Sequence, residues 1–94
     1  MAAAKSFASV AKKVFTLSID PASINSGVVS VQTFTAPGAT QDMFLVHQVD
    51  SWEFADVRIV NARVSAANTI ELSFFNFGGS TRDLAAFTIK LLGL

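Results

Sequence analysis

A chain of 94 residues with 51% hydrophobic residues, nine Phe and no Cys supports a single core, since domains run to about 100–150 residues, and has no disulfide framework or thiolate metal site. Charged residues are only 15% of the chain, against about 25% in an average soluble domain, so part of the surface is expected to be apolar and to meet a second copy or a larger partner. The net charge of zero is split: Lys5, Lys12 and Lys13 give residues 1–13 a charge of +3, and four bases against seven acids leave −3 on the remainder, an asymmetry that suits an acidic neighbour and is too small to imply nucleic-acid binding.

Residues 1–13 are rich in Ala, with Phe7 and Val10 three apart, and are expected to form an extended N-terminal arm ahead of a folded unit spanning 14–94. Lys5, Phe7, Lys12 and Lys13 are its candidate contacts. Lysines interrupt any signal-peptide core there, Arg is missing from what would otherwise resemble a transit sequence, and no apolar run approaches the ~20 residues of a membrane span. The expectation is a protein made and kept soluble, with no membrane partner. From residue 14 the pattern changes to period two, with Phe15, Leu17 and Ile19 alternating with Thr16 and Ser18 up to Asp20-Pro21, where proline removes a ladder donor. Asn25-Ser26-Gly27 is a turn, residues 28–35 are a β-branched strand, and Ala36-Pro37-Gly38 carries the signature of a type II turn.

Residues 43–49 are nearly all apolar and are expected to form a central strand buried on both faces. Residues 50–56 form a loop with the only Trp, and 57–64 resume a strand. Ser65 to Asn68 make a turn, after which Ile70, Leu72 and Phe74 alternate with Glu71, Ser73 and Phe75. Gly78-Gly79 is expected to be a tight hairpin turn using positive φ. Residues 84–92 close the chain, Phe87, Ile89 and Leu91 on one face and Thr88 and Lys90 on the other. Six short strands with turn punctuation define an all-β fold, a small antiparallel β-sandwich, jelly-roll-like or barrel-like.

Chemistry is sparse. His47 is the only His, and on a straight strand Asp42 and Asp50 share the face opposite to it, so the three do not converge on a metal or act as acid and base. Nothing resembles a nucleophile elbow, and no Gly-rich loop opens a helix to cradle phosphate. No enzyme activity, metal or cofactor is expected. Trp52 and Phe54 lie in an acidic loop and are expected to plug one end of the sandwich, to anchor a protein interface, or to offer a sugar-stacking platform. Phe75 and Phe77 fall on the face opposite Phe74, so they are expected to meet another chain unless that face is covered, and Leu92 and Leu94 belong to the same candidate contact.

The run Asn61 to Asn76, with its Ala-Arg-Val-Ser-Ala-Ala-Asn turn, the upstream Gln32-Thr33-Phe34-Thr35-Ala36-Pro37-Gly38-Ala39 and the later Asp83 resemble small structural proteins of tailed bacteriophages, several of which are capsid decoration, or cement, proteins. The resemblance covers roughly residues 17–91. It departs at Gln41, where Gly is expected before Asp42, and in Ser51-Trp52-Glu53-Phe54, where Pro and Gly are usual.

The physical roles of the matched positions are structural. Pro37-Gly38 sets a turn, Asn68 takes a left-handed conformation or caps the Ser-Ala-Ala turn, and Asn76 satisfies backbone groups at a strand end. Arg63 is expected to pair with Asp42 or Asp83, or to reach a neighbouring subunit. The resemblance implies a virion protein made in the host bacterial cytoplasm that sits on the capsid surface. Its implied partners are the major capsid protein and copies of itself, as a trimer or dimer. A tail, baseplate or fibre component and a virion-surface carbohydrate-binding module are the two alternatives.

Overall fold

The structure is a computed structural model that describes residues 13–94. Its six strands are β1 (Lys13–Ile19), β2 (Val29–Thr35), β3 (Leu45–Gln48), β4 (Val57–Ala66), β5 (Thr69–Asn76) and β6 (Phe87–Gly93). They form two three-stranded antiparallel sheets, ordered β1-β6-β3 and β2-β5-β4. The expected all-β, sandwich-like class is the one the chain adopts. Lys13, grouped above with the arm, opens β1 and pairs with Gly93; the rest of the arm, residues 1–12, lies outside the described residues.

Alternation builds the core. β1 turns Phe15 and Ile19 inward and Val14, Thr16 and Ser18 outward, and β6 contributes Ile89 and Leu91. From the other sheet the central strand β5 adds Ile70, Leu72 and Phe74, all fully buried, with Phe34 of β2 edge-on to Phe74 at 6.4 Å between ring centroids. Each such side chain contributes about 1.5–3 kcal/mol on burial. Every connection except β4–β5 crosses from one sheet to the other, so the two inner faces are stitched together repeatedly along the chain.

Three features differ from what the sequence pattern predicts. First, residues 43–49 are not a central strand buried on both faces: β3 is a four-residue strand at the edge of its sheet, with Val46 and Gln48 exposed. Unbroken apolar character there reflects an outward apolar face, not double burial. An antiparallel bridge between Phe44 and Arg63 ties this edge to β4, so the sheets touch at one corner and β1 and β2 remain the open edges.

Second, Gly78-Gly79 makes no hairpin. Residues 77–86 cross from β5 in one sheet to β6 in the other, and neither glycine has positive φ. A Cβ at Gly78 would press on the Asp56 carboxylate, which Arg82 holds in place. Third, β4 carries two register shifts against β5, one between Ile59 and Asn61 and one between Val64 and Ala66. Each extra residue inverts the side-chain parity. Val57 and Ile59 therefore point inward before the first shift, and Ala62 and Val64 after it.

Candidate interaction surface

The turn at 36–39 and the β4–β5 loop meet in space. Ala39 N–H donates to Ala36 O at 3.0 Å and Gly38 has φ 92°, the geometry of a type II turn. Asn68, at φ 60° in the two-residue loop of the β4–β5 hairpin, locks onto that turn. Its carbonyl accepts from Ala36 N (2.8 Å), its N–H donates to Ala39 O (2.9 Å), and its Oδ1 accepts from Gly38 N (2.8 Å). At the other end of β5 the fully buried Asn76 donates from Nδ2 to Ile24 O (3.0 Å) and Ser80 O (2.7 Å) and accepts from Gly78 N (2.8 Å). Both Asn residues act as the sequence predicts, as fixed polar pins for loops.

Charged side chains are used locally. Arg63 pairs with neither Asp42 nor Asp83: its guanidinium makes a two-pronged contact with Glu71, Nε to Oε2 at 2.7 Å and Nη2 to Oε1 at 3.2 Å. Glu71 is the residue directly opposite in the β4–β5 register, so the short strand-to-strand distance wins over the sequence-distant acids, and Glu71 raises the Arg63 pKa further. Arg82 holds Asp56 at 3.0 Å and lies over the Phe54 ring, 4.6 Å from its centroid. Hydrogen bonding from Arg82 lowers the Asp56 carboxyl pKa below its ordinary value.

Trp52 is half-buried, tilted against Phe87 at 5.7 Å, with the Arg58 guanidinium 5.2 Å from its ring centroid. It packs with Phe54 against the core. The contact with the core fits the plug reading of the loop, and the half-buried ring keeps part of its surface outside.

The outer face of the β2-β5-β4 sheet is apolar at one end and polar at the other. Across it run rows of paired residues, Val29, Phe75 and Arg58, then Val31, Ser73 and Asn61, then Thr33, Glu71 and Arg63. Phe77 is 64% exposed and packs edge-on against Phe75 at 4.5 Å, and Val31 is 57% exposed. Phe75 is half-buried and Ser73 is buried, and Phe75 and Phe77 lie on the face opposite Phe74, as the alternation predicts.

The outer face of the other sheet has a smaller counterpart. Leu92 lies between Val14 and Val46 in one row across β1, β6 and β3, beside a shallow groove of about 420 Å³ whose lining includes His47, Gln48 and Lys90. His47 is half-buried on the inner side, opposite Leu91, and desolvation lowers its pKa. Asp42 and Asp50 are exposed, and among the described residues no three His, Cys, Asp or Glu side chains gather as a metal site.

The candidate contact residues thus divide. Phe75 and Phe77 belong to one sheet face and Leu92 to the other; Trp52 and Phe54 close an end, and Arg63 is held by Glu71. Lys5, Phe7 and Lys12 lie outside the described residues. Sequence reasoning missed Val29, Val31, Val14, Val46 and the strongly exposed Phe44. The signal was present in β2, where Phe34 shares parity with Gln32 and Ser30, so burying the Phe turns the β-branched side outward. Searches of family models, curated proteins and solved structures give no match to this chain.

Proposed function

We propose that this chain is a capsid decoration protein of a tailed bacteriophage, which binds the outside of the major capsid shell and clamps neighbouring capsomers as a homo-oligomer. The observation that carries the reading is the apolar cluster at one end of the outer face of the β2-β5-β4 sheet, where the exposed Val29, Val31 and Phe77 with the half-buried Phe75 offer a contact surface instead of a reactive site. Exposed apolar clusters rimmed by polar residues mark interaction sites. The meeting of the two phage-like stretches at Asn68 supports it further, because the matched residues then form one structural unit. The basic segment 1–13 supplies long-range attraction toward an acidic shell. Many modest contacts repeated over a lattice add through effective concentration, so each copy binds the shell firmly with a small interface.

The test adds purified protein to undecorated expanded capsids and follows occupancy together with resistance to heat. Saturable binding that strengthens the shell is expected. Phe77→Ser, which gives up the edge-on contact with Phe75 and about 0.5–1.5 kcal/mol of stability with it, is expected to weaken occupancy about 10-fold or more through loss of an aromatic anchor. Absence of binding, with the protein recovered in isolated tails, overturns the capsid reading in favour of a baseplate or fibre component.

A further inference from the structure

Natural sheets guard their edges with charge, proline, bulges, brevity or a covering segment, because a bare edge pairs with other chains. Of the three edges other than β2, two are guarded in this way, since β3 has four residues and is bridged to β4 through Phe44 and Arg63 and β4 has two bulges; the third, β1, carries one charge, at Lys13.

β2 is different. Its seven residues, Val-Ser-Val-Gln-Thr-Phe-Thr, contain no charge, proline or glycine, and pair with β5 in unbroken register. Among the described residues no other strand lies on its outer side. The Gln32 side chain clasps the Ala22 backbone, accepting from its N–H at 2.8 Å and donating to its carbonyl at 3.1 Å.

The ladder also fixes which backbone groups are open. Ala36 N–H donates to Asn68 O as the ladder runs past the Thr35–Thr69 pair. In an antiparallel ladder bonded residues alternate, so Phe34, Gln32 and Ser30 exchange bonds with β5. The N–H and C=O groups of Val29, Val31, Thr33 and Thr35 face the open edge.

We infer that β2 pairs antiparallel with β2 of a second copy, about a two-fold axis through Gln32, so that two three-stranded sheets become one sheet of six strands. The inference rests on the homo-oligomer part of the decoration reading and adds its surface and symmetry. About that axis Val31 faces Thr33 of the second copy and Val29 faces Thr35, so every open backbone group of the strand meets its complement. A two-fold contact requires a surface to match itself, and β2 does: it sets no like charges opposite each other. A strongly acidic or basic partner strand would find no opposite charge on it. The pairing also sets the two Val31 side chains diagonally across the axis and places Val29, Phe75 and Phe77 of the two copies at opposite ends of the joined sheet, two separate contacts for the shell.

Sedimentation equilibrium of the full chain tests this, with an expected mass twice the 10.0 kDa of a single chain. Val31 and Thr33 are exposed on the outer face, so charges there leave the fold intact, which circular dichroism verifies. The double variant Val31→Lys, Thr33→Lys sets Lys against Lys twice across the axis and is expected to raise the dissociation midpoint about 10-fold or more. The double variant Val31→Lys, Thr33→Glu sets each Lys against a Glu and is expected to return the midpoint close to wild type. A monomeric wild type, or two double variants that behave alike, overturns the inference; so does an oligomer that dissolves on removal of residues 1–12 and not on charging β2. Capsid occupancy is measured separately. An oligomer built on another surface overturns the β2 pairing and leaves decoration standing, whereas a β2 dimer that binds no shell does the reverse.

Discussion

Asn68 does two jobs at once. It holds φ at 60°, and its Oδ1 accepts from the Gly38 N–H of the neighbouring turn. The left-handed region costs a residue with a plain Cβ about 1–2 kcal/mol, while glycine enters it freely. A lost hydrogen bond adds about 0.5–1.5 kcal/mol. Asn68→Gly is therefore expected to lower unfolding free energy by about 1 kcal/mol, and Asn68→Ala by about 2–3 kcal/mol. Urea titration of both variants checks this, and the gap between them isolates the backbone contribution. Equal losses would show that the conformation of residue 68 carries no cost and that the bond to Gly38 is the whole of its role.

Strands show where pattern reading succeeds and where it stops. The six strands were readable because period-two alternation is imposed by the pleat itself, and Ile70, Leu72 and Phe74 follow it without a break. Asn68 and Asn76 were readable for a similar reason, since a short amide at a turn or strand end has few roles other than bonding nearby backbone. The status of β3 was not readable, because an apolar run looks the same whether both its faces are buried or one faces outward. The Arg63 partner was hidden as well, as it depends on which residue of β5 stands opposite.

The bulge in β4 did leave a trace: Val57 and Ile59 have one parity and Ala62 and Val64 the other, which a single extra residue must reconcile. Deleting Val60, itself exposed, makes the Ile59–Phe74 and Asn61–Ser73 pairs consecutive, so Val57, Ile59, Ala62 and Val64 then follow one plain alternation and all keep their inward face. The expected result is a protein that keeps a cooperative thermal transition, as Val60→Ser does. Loss of the cooperative transition in the deletion variant alone would mean that the bend the bulge gives β4 is itself needed to close the core.

On the scale of the molecule, the core closes at its margins through groups whose protonation matters, and they act in the same direction. His47 is half-buried, and desolvation lowers its pKa in the folded protein. Asp56 is held below its ordinary pKa, first by its hydrogen bond from Arg82. A group with a depressed folded pKa binds protons more readily in the unfolded chain, so its contribution to stability is complete above the unfolded pKa and declines as pH falls toward the folded one. For His47 the decline begins at the ordinary imidazole value of 6.5, and for Asp56 at the ordinary carboxylate value of 3.8. Thermal melts across pH are thus expected to show a plateau above neutrality, a first fall in Tm beginning below pH 6.5, and a second below the carboxylate value. His47→Gln is expected to remove the first fall and keep the second, while Arg82→Gln shrinks the second and keeps the first. A wild-type Tm that rises on mild acidification would reverse the sign assigned to His47, placing its imidazolium beside an acid instead of against Leu91.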